Sequence, residues 1–234
     1  MSARNDILAR IRSSLGVSTE KSGKDETAGA TGRTARQKAV ANRLKNHPRG
    51  VVPEPIGKKP KAVRQFIEKA QASGASVERV QADKVAQAVS TFLRNHNLAQ
   101  QLRMGNDRRL GRIEWQKRGA PEILTGPSDG KDETGLSHAF AGAAETGTLV
   151  LLSGSDNPTT INFLPENHIV LVDEKDIAFD YETIWTKLRR KAGAGNMPRT
   201  VNLITGPSRS ADIEQTLIMG AHGPVRLHII VVKD

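Results

Sequence analysis

Glu145-Thr146-Gly147-Thr148 brings a carboxylate, two hydroxyls and a glycine directly ahead of the apolar run Leu149-Val150-Leu151-Leu152. If the run is a buried strand, the polar residues sit at its mouth and can orient a ligand from a rigid base. Glu145 could act as a general base or hydrogen-bond a substrate hydroxyl. It could equally accept backbone N–H groups and shape a turn. Thr146 and Thr148 can donate to a carboxylate or phosphate, or close the strand end. Gly147 permits a close backbone approach or a positive φ. A second polar stretch, Thr205-Gly206-Pro207-Ser208-Arg209-Ser210-Ala211-Asp212, follows the apolar Val201 to Ile204. It reads as a strand-to-helix turn, with free N–H groups and a helix dipole behind them. Thr205, Gly206, Ser208, Arg209 and Ser210 are therefore expected to bind a small carboxylate or phosphate, the Arg209 fork matching either. Ser210 as a plain helix cap and Arg209 as a partner of Asp212 remain the alternatives. His222, between Gly220 and Gly223-Pro224, could serve as an acid or base or as a hydrogen-bonded turn residue. The two turns are expected to converge on one cavity for a small anionic metabolite.

Other chemistries find little support. The chain has no cysteine, which excludes disulfides, thiolate-bound zinc and cysteine-ligated clusters within it. No His-x-x-x-His or Glu-x-x-His spacing suggests a metal. Neither Gly-x-x-x-x-Gly-Lys nor Gly-x-Gly-x-x-Gly occurs, so nucleotide-binding motifs are absent. His168 and His228 fall on apolar runs and are expected to be satisfied core or edge residues. Asn162 and Glu166 flank Phe163-Leu164-Pro165 and could line the same mouth.

The net charge of +10 is local. Residues 1 to 64 hold 15 Lys and Arg against 5 Asp and Glu, and residues 65 to 234 hold 20 of each. A basic arm can attract nucleic acid or an anionic surface. Aromatics near it are scarce, so nucleic acid is not favoured. No early apolar segment resembles a secretory leader, and no run reaches the roughly 20 residues of a membrane span. The expectation is a cytoplasmic protein without a membrane span.

These groups need a scaffold. Residues 1–16 suggest an amphipathic helix, with Ile7, Leu8, Ile11 and Leu15 on one face. Residues 17–60 read as a basic, flexible linker containing a possible helix at 35–47 and four prolines at 48, 53, 55 and 60. Residues 61–234 form the α/β body. Helices are expected at 62–73, from an Asp83 cap to Asn95, at 181–191 and at 212–219. Strands are expected at 75–80, near Leu102 and Met104, and at 149–152, 167–172, 200–204 and 227–232. Residues 108–118 stay ambiguous. The alternation predicts an α/β fold with a mostly parallel sheet flanked by helices. The direct succession of strands 149–152 and 168–172 suggests some antiparallel pairing. Thr-Gly-Pro-Ser, at 125–128 and 205–208, suggests equivalent strand-end turns.

Taken in order, several blocks carry a resemblance. Ala144 to Leu151, Leu164 to Val172, Ile204 to Glu214 and Gly220 to Pro224 resemble the LUD, or lactate-utilisation, domain family. Ile7-Leu8-Ala9-Arg10-Ile11-Arg12 is similar to the start of its lactate utilisation protein C branch. The resemblance implies a fold related to the sugar-phosphate isomerase and CoA-transferase superfamily. It implies a part in oxidising L-lactate to pyruvate, with iron-sulfur clusters on partner proteins and no cofactor in this chain. The Gly/Ser/Lys-rich insertion at 17–34 departs from the shorter family pattern. Two alternatives stay open. One is a stand-alone isomerase or acyl/CoA-transferase-like enzyme with Glu145 as base or nucleophile. The other is a regulatory or nucleic-acid-binding protein using the basic arm.

Overall fold

The computed structural model describes residues 7, 10, 11, 26–46, 62–193, 195–213 and 216–233. They divide between two units, Met1–Glu54 and Pro55–Asp234. In the first unit Ile7, Arg10 and Ile11 are helical. The rest of the expected N-terminal helix lies outside the described residues, as do 17–25 and 47–60 of the expected linker. Helix α1 (Glu26–Asn46) contains the expected basic helix but begins at Glu26, inside the segment read as linker. Its many Ala, Gln, Lys and Arg residues are good helix formers. Val40 and Leu44 are exposed on it.

In the second unit, six parallel strands form the main sheet: β1 (Ser76–Gln81), β2 (Gln101–Met104), β3 (Glu122–Thr125), β4 (Thr134–His138), β7 (Asn167–Asp173) and β12 (Arg226–Lys233). Their spatial order is β1-β12-β7-β4-β2-β3, and every adjacent pair is parallel. A second sheet contains β5 (Ala141–Ala143), β6 (Thr148–Leu152), β8 (Ile177–Ala178) and β9 (Val201–Ile204), ordered β8-β5-β6-β9. The expected α/β architecture with a mostly parallel sheet is present.

Side-chain alternation divides the interior into layers. From β12, Ile230 and Val232 face helix α3 (Val85–Asn95), where they meet Val89 and Leu93. Leu227, Ile229 and Val231 point the other way, toward Phe66 and Ala70 of helix α2 (Ala62–Ala72) and Leu149 and Leu151 of β6. Val150, between those two leucines, packs behind the second sheet on Ile184 and Leu188 of helix α6 (Tyr181–Ala192). The core of the main sheet is therefore covered on both faces, which explains the near-continuous apolar runs of β7 and β12.

Several expectations need correction. The described residues of the expected helix at 212–219 are not helical: β10 (Arg209–Ile213) and β11 (Thr216–Met219) make an antiparallel ribbon. The apolar stretch is too short for a stable helix and contains β-branched Ile213, Thr216 and Ile218. Strands 149–152 and 167–173 do not pair. They belong to different sheets and are separated by short helix α5 (Thr159–Phe163). The antiparallel pairing instead joins β6 to β5 and β9. Asp83 does not cap α3. It lies within a 3-10 turn at Ala82–Lys84, and Lys84 precedes the helix without a side-chain cap. The ambiguous 108–118 stretch opens with helix α4 (Arg108–Gly111), capped by Asp107. Both Thr-Gly-Pro-Ser segments follow strands, β3 and β9 respectively.

Candidate functional site

The turn at 145–148 and the bend at 205–208 meet. Pairing of Leu149 with Ile204 sets Thr148 beside Thr205, and their hydroxyl oxygens lie 2.6 Å apart. Thr146 lies 2.7 Å from Thr148, and the Tyr181 hydroxyl donates to Thr148 at 2.8 Å. Both turns abut the C-terminal end of α2. Gly147 has φ +70°, and a Cβ there would overlap the Ala70 backbone nitrogen. Gly206 has φ +73°, and its Cβ would overlap the Ser73 carbonyl oxygen. Glycine is required at both places by backbone geometry and by space.

Glu145 has a structural task. Its Oε1 accepts the Tyr181 backbone N–H at 3.0 Å, while Asp180 accepts that of Thr183 at 2.7 Å. The two carboxylates together satisfy donors at the first turn of α6, where a negative charge also suits the dipole. Arg209 and Ser210 lie on β10, opposite Met219 and Ile218. With a strand following the bend, no helix dipole stands behind it. The Arg209 guanidinium instead occupies the space beside Gly74.

Thr205, Gly206, Ser208 and His222 line a cavity of about 210 Å³, together with Asn162 and His168. Ser208 ties down the 220–224 loop: its N–H donates to the Pro224 carbonyl at 2.9 Å and its carbonyl accepts from Gly220 at 3.0 Å. His222 is exposed. His168 and His228 are buried, as expected, but each leaves one ring nitrogen without a hydrogen-bond partner among the described residues. Glu145, Thr146, Gly147, Thr148, Arg209 and Ser210 are not among the residues lining this cavity.

A larger cavity, about 360 Å³, opens elsewhere, at the carboxyl ends of β2 and β4. From β2 the chain moves outward to β3, whereas after β4 it moves inward to β7. The crevice between them is a topological switch point, the usual ligand position in parallel α/β sheets. Asp107 and Arg109, just beyond β2, face His138, the last residue of β4. Burial opposes ionisation of Asp107, but hydrogen bonds and charge from Arg109 outweigh it and hold the carboxyl below its usual range. Arg109 Nη2 lies 2.6 Å from Asp107, and Nη1 donates to the Ala139 carbonyl at 3.0 Å. Arg109 is thus a clamp joining the ends of the two strands.

His138 lies between two acceptors, the Ala139 carbonyl at 3.0 Å from Nδ1 and Asp173 at 3.5 Å from Nε2. Hydrogen bonding to His138, partly opposed by burial, holds Asp173 below its usual range. Lys191 also lines the cavity, its Nζ 5.3 Å from the Phe140 ring centre. The cavity thus offers a cation at Lys191 and an imidazole at His138 held through both ring nitrogens.

Sequence reasoning missed this site. A strand was expected near Met104, so polar Asn106-Asp107-Arg108-Arg109 directly beyond it was the available signal. Thr134-Gly135-Leu136-Ser137-His138 has only one large apolar residue and gave no strand signal. Among the described residues, no group of three or more His, Asp or Glu side chains could hold a metal ion. No helix among them is long and apolar enough to cross a membrane.

The chain is similar to several known proteins. Lactate utilization protein C of Halalkalibacterium halodurans is 38% identical over 103 residues, covering 44% of this chain and 45% of that protein. The protein of that name from Geobacillus sp. (strain WCH70) is 33% identical over 135 residues, covering 54% and 56%. The match therefore spans about half the length of these curated relatives. Among solved structures, a DUF162 family protein from Deinococcus radiodurans superposes with a TM-score of 0.56 at 20% identity, covering 75% of this chain and 99% of that one. That likeness concerns the fold. Residues 59–232 match the LUD domain, and this chain belongs to the LUD domain family.

Proposed function

We propose that this chain is a component of an L-lactate utilisation system, holding a small carboxylate in the cavity at the ends of β2 and β4. Iron-sulfur partner proteins carry the electrons in this reading. One observation carries it: a polar cavity with a cation and a buried histidine held by a carboxylate behind it sits at the sheet's switch point, in a chain whose relatives bear the name lactate utilization protein C.

The chemistry fits a 2-hydroxy acid. Conversion of lactate to pyruvate removes two electrons and two protons. Lys191 would pair with the substrate carboxylate. His138, tied through Nδ1 to the Ala139 carbonyl and through Nε2 to Asp173, would shape the wall beside the substrate, and both electrons and both protons would pass to the partner proteins and solvent. Arg109 and Asp107 would keep the wall of the crevice rigid.

Deletion of the gene tests the role. Growth on L-lactate should fail while growth on pyruvate continues, and the tagged protein should recover iron-sulfur partners from lactate-grown cells. Normal lactate growth together with recovery of no such partner would refute it. Calorimetry tests the site: Lys191→Met should weaken L-lactate binding by about tenfold, the scale of one charge-assisted contact.

A further inference from the structure

We propose that the open edge of β9 and the smaller cavity beside it form a second binding site. It takes an extended segment of another protein by strand addition and seats one bulky uncharged side chain of that segment in the cavity. The site is separate from the carboxylate cavity above and does not depend on it.

The edge follows from the ladder. Among the described residues, β9 is the last strand of the second sheet and pairs with β6 alone. The Ser153 N–H donates to the Thr200 carbonyl at 3.0 Å, just ahead of β9. In an antiparallel pair, residues that bond to the partner strand alternate with residues that face away from it. The bonds to β6 therefore fall on Asn202, opposite Leu151, and on Ile204, opposite Leu149. Val201 and Leu203 turn their N–H and C=O groups outward, to the open side. The Leu203 side chain is 48% exposed.

The other sheet edges of this unit are protected. β1 carries exposed Glu78 and Arg79, β3 carries exposed Glu122, and β8 is only two residues long. Charge and shortness both keep an edge from pairing. Val201-Asn202-Leu203-Ile204 has no charge and no proline, and its register with β6 is unbroken. Such an edge is a template for one more strand.

The cavity supplies selectivity. Leu203 and Ile204 belong to its wall, so edge and cavity are continuous. Side chains directly opposite on paired strands stand about 5 Å apart, which brings a residue opposite Leu203 to the cavity mouth. Phe163, Leu203, Pro207, Pro224 and Leu227 give an apolar lining, and no Asp, Glu, Lys or Arg lines the cavity. A volume of about 210 Å³ suits one aromatic or branched side chain. A charged one would lose its hydration there without a counter-ion. A second copy of this chain fits less well, because its own Leu203 is already committed to the wall of its own cavity. The occupant is a segment of a different protein, with backbone groups to pair and a bulky apolar residue to bury.

A fluorescein-labelled, end-capped pentapeptide, Thr-Val-Phe-Val-Thr, tests the site by anisotropy against the full chain. Replacing its phenylalanine by aspartate tests the cavity, and N-methylation of its three central residues tests strand addition. Each change should weaken binding at least about tenfold, the scale of one buried polar or apolar contact. Leu203→Pro removes an outward N–H that β6 does not use, a change that edge strands tolerate. It should weaken binding of the phenylalanine peptide at least about tenfold too. If that variant unfolds, Gly223→Leu is the second variant. A Cβ at Gly223 meets Ser208 and Phe163 at 3.5 and 3.6 Å, an ordinary contact, and the longer side chain fills the cavity. Failure of the phenylalanine peptide to bind would overturn the proposal, as would equal binding of the aspartate or N-methylated peptide. Retained binding by either folded variant would overturn it as well. In sedimentation equilibrium, Leu203→Pro should leave the oligomeric state unchanged. A dimer that this variant dissociates would give the edge to a second copy and sink the partner reading. None of these measurements involves lactate, so the two readings fail separately.

Discussion

Acidification should unfold this protein well before its carboxylates are neutralised, because two histidines are buried in the neutral form. His168 has its pKa lowered from 6.5 to about 3 by burial. His228 is lowered to about 4, by burial first and by the nearby His96 second. Glu78, 4.0 Å from His228 Nε2, favours the charged form, but it is half exposed and screened, so burial wins. In the unfolded chain both rings would titrate near 6.5. Below that pH the unfolded state binds more protons than the folded state, so stability falls as pH falls. The loss starts near the unfolded pKa and continues until pH reaches the folded values. Two protons correspond to a slope of about 3 kcal/mol per pH unit near pH 5. Between about pH 6.5 and 4.5 the loss sums to about 4 kcal/mol, a large share of a typical domain's stability. Asp107 and Asp173, with carboxyls held below the usual range, add their loss mainly at lower pH. Urea unfolding followed by tryptophan fluorescence at several pH values measures the slope. His228→Gln should halve it. A slope corresponding to less than one proton, or an unchanged slope in that variant, would refute the reasoning.

Gly147→Ala should destabilise the fold by about 2–4 kcal/mol, combining a left-handed alanine with overlap on the α2 backbone; urea midpoints measure it. Glu145→Ala should cost about 1 kcal/mol through loss of its bond from the Tyr181 N–H, whereas Glu145→Gln should keep both stability and lactate growth. A Gln variant that is stable but fails on lactate would show that the carboxylate does proton chemistry. Asp107→Asn should cost about 1–3 kcal/mol by weakening the Arg109 clamp, and L-lactate binding should weaken with it. A binding isotherm and unfolding midpoint both matching the parent would remove the clamp from the argument.

Much of the scaffold was legible because its signals are local. The apolar runs of β7 and β12 stand out because both faces are covered. The spacing of Ile184 and Leu188 marks α6, and Gly193 ends it. The ribbon at 209–219 was misread because its apolar residues fit a short helix as well as a hairpin, and only pairing partners decide between them. Strand β4 was invisible for a different reason: Gly135 and Ser137 sit in its interior, and it is buried by its neighbours.

By itself, the order of residues determined the alternating α/β pattern, the basic character of the first 64 positions and the motif blocks of the LUD domain. Each depends on residues close together along the chain. Tertiary structure alone decided where chemistry can occur. It set the Glu145 carboxylate on the Tyr181 N–H at the first turn of α6, 36 residues away in the chain. It brought Asp107 and His138 to one polar crevice, with Asp173 behind His138, because parallel strands bring their carboxyl ends to the same edge whatever their separation in sequence.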